Sequence, residues 1–421
     1  MNQKMEMKND KANSKKRWLY VLLGIIIMMC LGTVYSYSIF RLPIEEVFQV
    51  GTAQSGMPYM AALAFYAVFM FLAGKHIDRF DPRIIMAAGG LIVGLGWMLS
   101  AYAPNIYVLT VTYGLISGAG VGIVYGVPMT VVAKWFPEKR GLTVGMVLIG
   151  FGMSPLITAP LARILVEQFG VMSTFQLLGM AFGMIIPLLS LPFRYPERTE
   201  KVDMKNTERG KEYSRQHNTR DMIRSKSFKG LYINFIIGTM IGLMLIGLTS
   251  KIAMEWIGLS SSQAALWMAL FAVFNGMGRP IFGWFTDKRS PKEAIYLSYA
   301  LIISAAVLIL FAKEGSLLIY VVSFSVFWFN LGGWLAIAPT STMKLYGGKH
   351  YSQNYGVVFT AYGIGAIVGV LSSGMMLDAF QNHQYVIYYV IALCLIGVMT
   401  TANFIKKGAG KEHPVPGRQI M

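Results

Sequence analysis

The chain is poor in charge. Only 14% of its 421 residues are Asp, Glu, Lys or Arg, against about 25% in an ordinary soluble domain. A chain of this length could not cover its surface in water at that density. Cysteine is almost absent: Cys30 and Cys394 both lie in apolar runs, which gives no footing to a disulfide framework or a thiolate metal site. The five histidines, His76, His217, His350, His383 and His413, fall in polar connections or tails. No metal cluster therefore sits inside an apolar stretch, and neither a metal nor a cofactor is expected. These shortages exclude a secreted disulfide scaffold, a zinc module and a soluble nucleic-acid binder, even though the formal charge is +17.

What the chain has instead is apolar length. Hydrophobic residues make up 55% of it, with a mean hydropathy of +0.53. A membrane helix needs about 20 predominantly apolar residues. Such runs occur at 18–40, 54–73, 84–102, 106–133, 141–165 and 171–193, then at 228–250, 262–285, 294–312, 316–338, 354–377 and 384–405. β-Barrel strands would alternate every second residue and be half as long, so helices are expected. Lys15, Lys16 and Arg17 precede the first run, but that run is too long for a signal peptide and no small-residue cleavage site follows it.

Lys and Arg placement sets the expected orientation. With the N-terminus inside, 32 of the 37 basic residues fall on the cytoplasmic side, against 14 of the 20 acids. Arg41, Arg163, Lys251 and Lys313 fall outside or at outer helix ends, and Arg279 lies well inside a run, away from either end. Both termini are thus expected in the cytoplasm, with the protein in the plasma membrane. The polar segment 194–227 is read as a cytoplasmic linker between a six-helix half at 18–193 and a second at 228–405, flanked by a basic tail at 1–17 and another tail at 406–421.

The halves repeat. Gly74-Lys-His-Ile-Asp78-Arg79 after the second run recurs as Gly283-Trp-Phe-Thr-Asp287-Lys288 after the eighth. Pro128 and Lys134 match Pro339 and Lys344, and Gly141 matches Gly356. Duplicated halves are a pattern of secondary transporters, which hold substrate near the midplane between the repeats. The Gly-x-x-x-Asp-Arg/Lys spacing, followed by Arg83 and Lys292, resembles the loop signature of the major facilitator superfamily. The resemblance covers all twelve runs, although Asp81 stands where that signature has Gly. Asn275-Gly-Met-Gly-Arg279-Pro-Ile-Phe-Gly283, Lys134-Trp-Phe-Pro-Glu-Lys-Arg-Gly141 and Asn354-Tyr-Gly-Val-Val-Phe-Thr-Ala-Tyr-Gly363 resemble the oxalate/formate antiporter family and related monocarboxylate carriers. The implied fold is all-α, with twelve transmembrane helices in two pseudo-symmetric halves. The resemblance also implies that Asp78, Arg79, Arg83, Asp287 and Lys288 brace the cytoplasmic side. The plainer alternative for the cations is anchoring at the membrane surface.

Arg279 is the most informative residue. It lies five residues past the centre of its run, or about 7–8 Å at ~1.5 Å per residue. A charge there costs about 2.5–3.5 kcal/mol on insertion scales and usually marks function. Asn275, four residues earlier, shares its face. A guanidinium and an amide together suit a carboxylate, and the resemblance gives Arg279 that role. By contrast, no Asp or Glu lies near the middle of any run; the nearest, Asp378, ends one. A lone intramembrane cation points to an anionic substrate, and it leaves any proton to the substrate or nearby polar groups. Tyr35, Tyr125, Trp334 and Tyr362 fall where related carriers place lining residues, with ordinary packing as the alternative for each. Oxalate carriers of this family have Lys in the stretch that here reads Thr-Ala-Tyr362-Gly. One central cation suits one carboxylate.

The expectation is a carrier, not an enzyme, that moves small monocarboxylates such as lactate, pyruvate or formate by alternating access. Coupling would be to protons or to a second anion. The carrier is expected to act as a monomer in the lipid bilayer with no nucleic-acid partner. The alternatives are an oxalate/formate-type antiporter and a major facilitator exporter of an unrelated small molecule.

Overall fold

A computed structural model describes residues 2–74, 76–77, 80–136, 140–196, 216–347 and 350–405. Among these residues the chain is helical and contains no strand. The helices are α1 (Asn2–Leu31), α2 (Ser38–Phe48), α3 (Thr52–Ser55), α4 (Met57–Gly74), α5 (Pro82–Ser100), α6 (Ile106–Leu109), α7 (Gly118–Trp135), α8 (Arg140–Met153) and α9 (Pro155–Ser190). Further along the chain come α10 (Thr219–Arg224), α11 (Lys226–Glu255), α12 (Ser261–Lys288), α13 (Pro291–Ile309), α14 (Leu317–Tyr346), α15 (Tyr351–Phe380) and α16 (Gln384–Phe404). A 3₁₀ turn over Gly32–Ser36 joins α1 to α2, and a π-helical run over Thr110–Ser117 joins α6 to α7.

Among the described residues, eleven stretches are long and apolar enough to cross a membrane. One of them, Leu142–Ser190, is 49 residues long and breaks at Gly170, whose φ of 77° lies in the left-handed region. Glycine reaches that conformation without Cβ strain, so the stretch folds back as two crossings and the total is twelve. Polar caps fix where the helices begin. Ser260 and Gln263 form a reciprocal capping box at α12, satisfying backbone donors that would otherwise be orphaned. Ser225 caps α11, and Ser290 followed by Pro291 opens α13. Helix α10 and the start of α11 lie within the segment 194–227.

Helix α5 packs on α9 and α4 on α7 before the linker; α12 and α13 pack on α14, and α11 on α16, after it. Small residues allow these approaches in lipid. A Cβ on Gly118 would meet the Ala62 carbonyl at 2.5 Å, and one on Gly94 would meet the Gly183 Cα at 2.5 Å. The two groups of helices meet along α15 with α4 and α3, α11 with α2, and α12 with α8 and α9. That seam holds the candidate site.

Candidate functional site

Among the described residues two guanidinium groups are buried, and their surroundings differ in kind. Arg41 on α2 is 1% exposed. Its Nε donates to Ser55 Oγ at 3.3 Å, its Nη1 to the Gly247 carbonyl on α11 at 2.9 Å, and its Nη2 to the Thr52 carbonyl. Every nitrogen of that guanidinium is used. Arg279 on α12 is 6% exposed, and only its Nη1 is engaged, donating to the Leu148 carbonyl on α8. Its Nε and Nη2 are buried without a partner, as are both polar atoms of the Asn275 side chain. Asn275 is fully buried one helical turn away. Burying charge without partners is costly, and a fold that needed Arg279 only as a tie would satisfy it as it satisfies Arg41. The free Nε–Nη2 edge has the spacing that a carboxylate fork accepts.

Around this edge lies an aromatic cluster built from several helices. Phe151 of α8 sits 6.0 Å from the Arg279 guanidinium carbon, within reach of a cation–π contact. Its ring is 5.2 Å from Tyr35 and 5.2 Å from Tyr125. Tyr66 of α4 lies 5.0 Å from Tyr125 and 5.7 Å from Tyr362. Tyr35 Oη and Tyr362 Oη share a 3.0 Å hydrogen bond between the first and eleventh crossings. Tyr35, Tyr125 and Tyr362 are therefore brought together beside Arg279. Trp334 is not in this group: it packs 5.5 Å from Tyr299 on α13, and a Cβ on Gly238 of α11 would strike its ring at 2.1 Å. Tyr66 and Phe151 join the cluster although no motif marks them.

The motif residues expected to brace one side divide. Asp78 and Arg79 lie outside the described residues. Arg83 pairs with Asp81, donating Nη2 to Oδ2 at 2.7 Å and Nε to both oxygens, to Oδ1 at 3.1 Å and to Oδ2 at 3.2 Å. The Arg83 hydrogen bond holds the Asp81 carboxyl below the usual carboxylate range, against the opposing effect of desolvation. Any stability from this pair is present above the ordinary carboxylate pKa and is lost as pH falls through the lowered value. The residue that departs from the loop signature is thus the N-cap of α5, accepting from the Arg83 backbone N–H. Asp287 and Lys288 are exposed, and Lys288 lies 4.9 Å from the Trp284 ring centre. The cation that reaches the end of α12 is Lys344 of α14. Its Nζ donates to the carbonyls of Thr286 at 2.8 Å and Asp287 at 2.6 Å, a favourable charge at a helix C-terminus.

The opposite end of the bundle carries ties that the sequence placed only as helix ends. Lys251 Nζ donates to Glu45 Oε2 at 2.6 Å, joining α11 to α2. Asp378 at the end of α15 accepts from the backbone N–H groups of Thr52 and Ala53 at 2.7 and 2.8 Å. The Arg41 bond to Gly247 and a hydrogen bond between Ser38 and Ser250 also span the seam here. A cavity of about 230 Å³, lined by Ser38, Arg163, Glu167, Ser250 and Met254 among others, lies beside them.

Twelve crossings and a repeated loop motif agree with what comparison with known proteins finds. The Major Facilitator Superfamily pattern matches residues 21–370, and again 231–419. The chain belongs to the Major Facilitator Superfamily. Membership makes it a multi-pass membrane transporter and not an enzyme. It is 28% identical over 357 residues to the oxalate:formate antiporter of Oxalobacter formigenes, covering 84% of this chain and 83% of that one. It is also 27% identical over 195 residues to monocarboxylate transporter 9 of Gallus gallus, covering 44% of this chain and 38% of that one. Its fold is similar to that of a bacterial homolog of the human lysosomal transporter Spinster, a structure solved in an inward-facing, unoccupied conformation. That match has a TM-score of 0.74 at 15% identity and covers 93% of this chain and 98% of that one.

Proposed function

We propose that this facilitator carries small monocarboxylates, with the carboxylate seated on the free Nε–Nη2 edge of Arg279 and the Asn275 amide. The observation that carries the reading is the pair of buried, unpartnered prongs on one turn of α12. A carboxylate would neutralise the guanidinium and accept from its Nε and Nη2 and from Asn275 Nδ2, whereas a cationic substrate would add a second like charge to a buried site. The antiporter and monocarboxylate relatives support an anion of this size. Tyr362 supports one carboxylate over two: its phenol is tied to Tyr35 and offers no second positive charge. The aromatic rings pack against the small apolar tail, and Tyr35 or Tyr362 can donate to a carboxylate oxygen.

Counterflow of labelled formate, lactate, pyruvate and oxalate into proteoliposomes tests this. The three monocarboxylates are expected to exchange and oxalate to lag. In the Tyr362→Lys variant the preference should move toward oxalate. Oxalate as the best substrate of the unaltered chain would replace the reading with the oxalate/formate-type alternative.

A further inference from the structure

Helix α8 meets Arg279 and Asn275 across the seam with one residue that has no side chain. Leu148 supplies the carbonyl that takes Arg279 Nη1. Four residues on, and so on the same face of α8, is Gly152. A Cβ built on Gly152 would lie 2.7 Å from Asn275 Oδ1 and 3.2 Å from Arg279 Nη2. These are two of the four buried atoms without a hydrogen-bond partner at this site. Gly150 and Gly145 of α8 do not share the property. A Cβ on Gly150 would strike the Ile25 carbonyl of α1 at 2.4 Å, and one on Gly145 would meet nothing within 4 Å.

From this placement we infer that Gly152 is a specificity-determining residue of the substrate site, setting how large a group can sit against the Arg279 and Asn275 prongs. The inference rests on the carboxylate reading above and deepens it. The argument is steric. Nη1 is occupied by Leu148, so a carboxylate must come to the Nε–Nη2 edge, and the wall facing Nη2 is the α8 backbone at Gly152. A methyl group there would overlap the amide oxygen and touch the guanidinium. It would press the prongs apart and occupy room beside the carboxylate's first carbon. Formate has only hydrogen on that carbon. Lactate and pyruvate carry a substituted carbon there and would meet the methyl first.

The test compares the unaltered chain with Gly152→Ala and Gly145→Ala in proteoliposomes, measuring KM and the maximal rate for formate, lactate and pyruvate. Gly152→Ala is expected to raise KM by about tenfold for lactate and pyruvate and by less for formate, as overpacking against a binding edge would. Gly145→Ala, on the same helix but facing open space, is expected to leave all three unchanged. Equal losses for all three acids in Gly152→Ala, or no loss, overturn the inference while leaving the carboxylate reading intact. If the unaltered chain carries none of the acids, the carboxylate reading fails first, and this inference with it. Should Gly152→Ala fold poorly, adding Asn275→Ala removes the closest clash. The double variant is then expected to regain folded yield, and a failure to regain it overturns the assigned contact.

Discussion

Arg279→Lys is expected to lower the kcat/KM for monocarboxylate exchange by about 30- to 100-fold, the equivalent of about 2–3 kcal/mol lost when a planar fork becomes a point charge. The charge survives this substitution, so the loss measures geometry alone. In the native chain the guanidinium divides its labour. Nη1 holds the Leu148 carbonyl, while Nε and Nη2 remain for substrate. An ammonium on a shorter stem cannot serve both directions in one plane. Initial-rate measurements at saturating and limiting substrate separate the two parts of the effect. A rise in KM at constant maximal rate places the loss in ground-state binding. A matching fall in maximal rate places it in the crossing between states. Exchange within about twofold of the native rate would reduce Arg279 to a structural anchor.

Arg41→Met is expected to destabilise the protein by about 3 kcal/mol, because it removes three buried charge-assisted hydrogen bonds, to Ser55 Oγ and to the Gly247 and Thr52 carbonyls. The long apolar side chain keeps most of the volume, so the effect is chiefly polar. Its second consequence is conformational. Arg41, the Lys251–Glu45 pair and Asp378 all join helices before the linker to helices after it at one end of the bundle. Removing one tie weakens closure at that end. A cysteine introduced by Ser250→Cys, where Ser250 hydrogen-bonds Ser38 across the same seam at 3.2 Å, reports this directly. In the purified protein, modification of that thiol by a hydrophilic maleimide is expected to quicken by about tenfold or more in the Arg41→Met background, a shift of about 1.4 kcal/mol in the opening equilibrium. The native thiols interfere little, since Cys394 is buried and Cys30 is partly buried. An unchanged rate with an unchanged melting temperature would make Arg41 dispensable.

The sequence disclosed the fold through bulk properties, and the site through one exception to them. Apolar length marks the twelve crossings because the bilayer allows few other solutions. Arg279 stands out because charge is so rare inside the runs, and Asn275 follows from helical spacing. The unequal fates of the other residues have physical reasons. Arg41 reads as an interfacial cation, since it ends an apolar run and precedes Pro43; its burial comes from α3 and α11 closing over it, contacts distant in sequence. Trp334 could not be aimed, because α14 is apolar on nearly every face and a helix apolar all round gives no moment to orient it. Tyr66, Phe151 and Gly152 belong to no motif and acquire meaning only when α4, α8 and α12 converge. Lys344 was visible as a repeated position, but its reach to the end of α12 depends on how α14 crosses that helix.

The central claim is that a negative carboxylate completes the Arg279–Asn275 pair. Thermal unfolding of the detergent-purified chain with lactate, and separately with its neutral amide, isolates that charge. A ligand that binds only the folded state raises the melting temperature as its concentration passes the dissociation constant. The account predicts stabilisation by lactate, none by the amide, and none by either in Arg279→Gln. Equal stabilisation by the amide, or stabilisation by lactate that persists in Arg279→Gln, would contradict it.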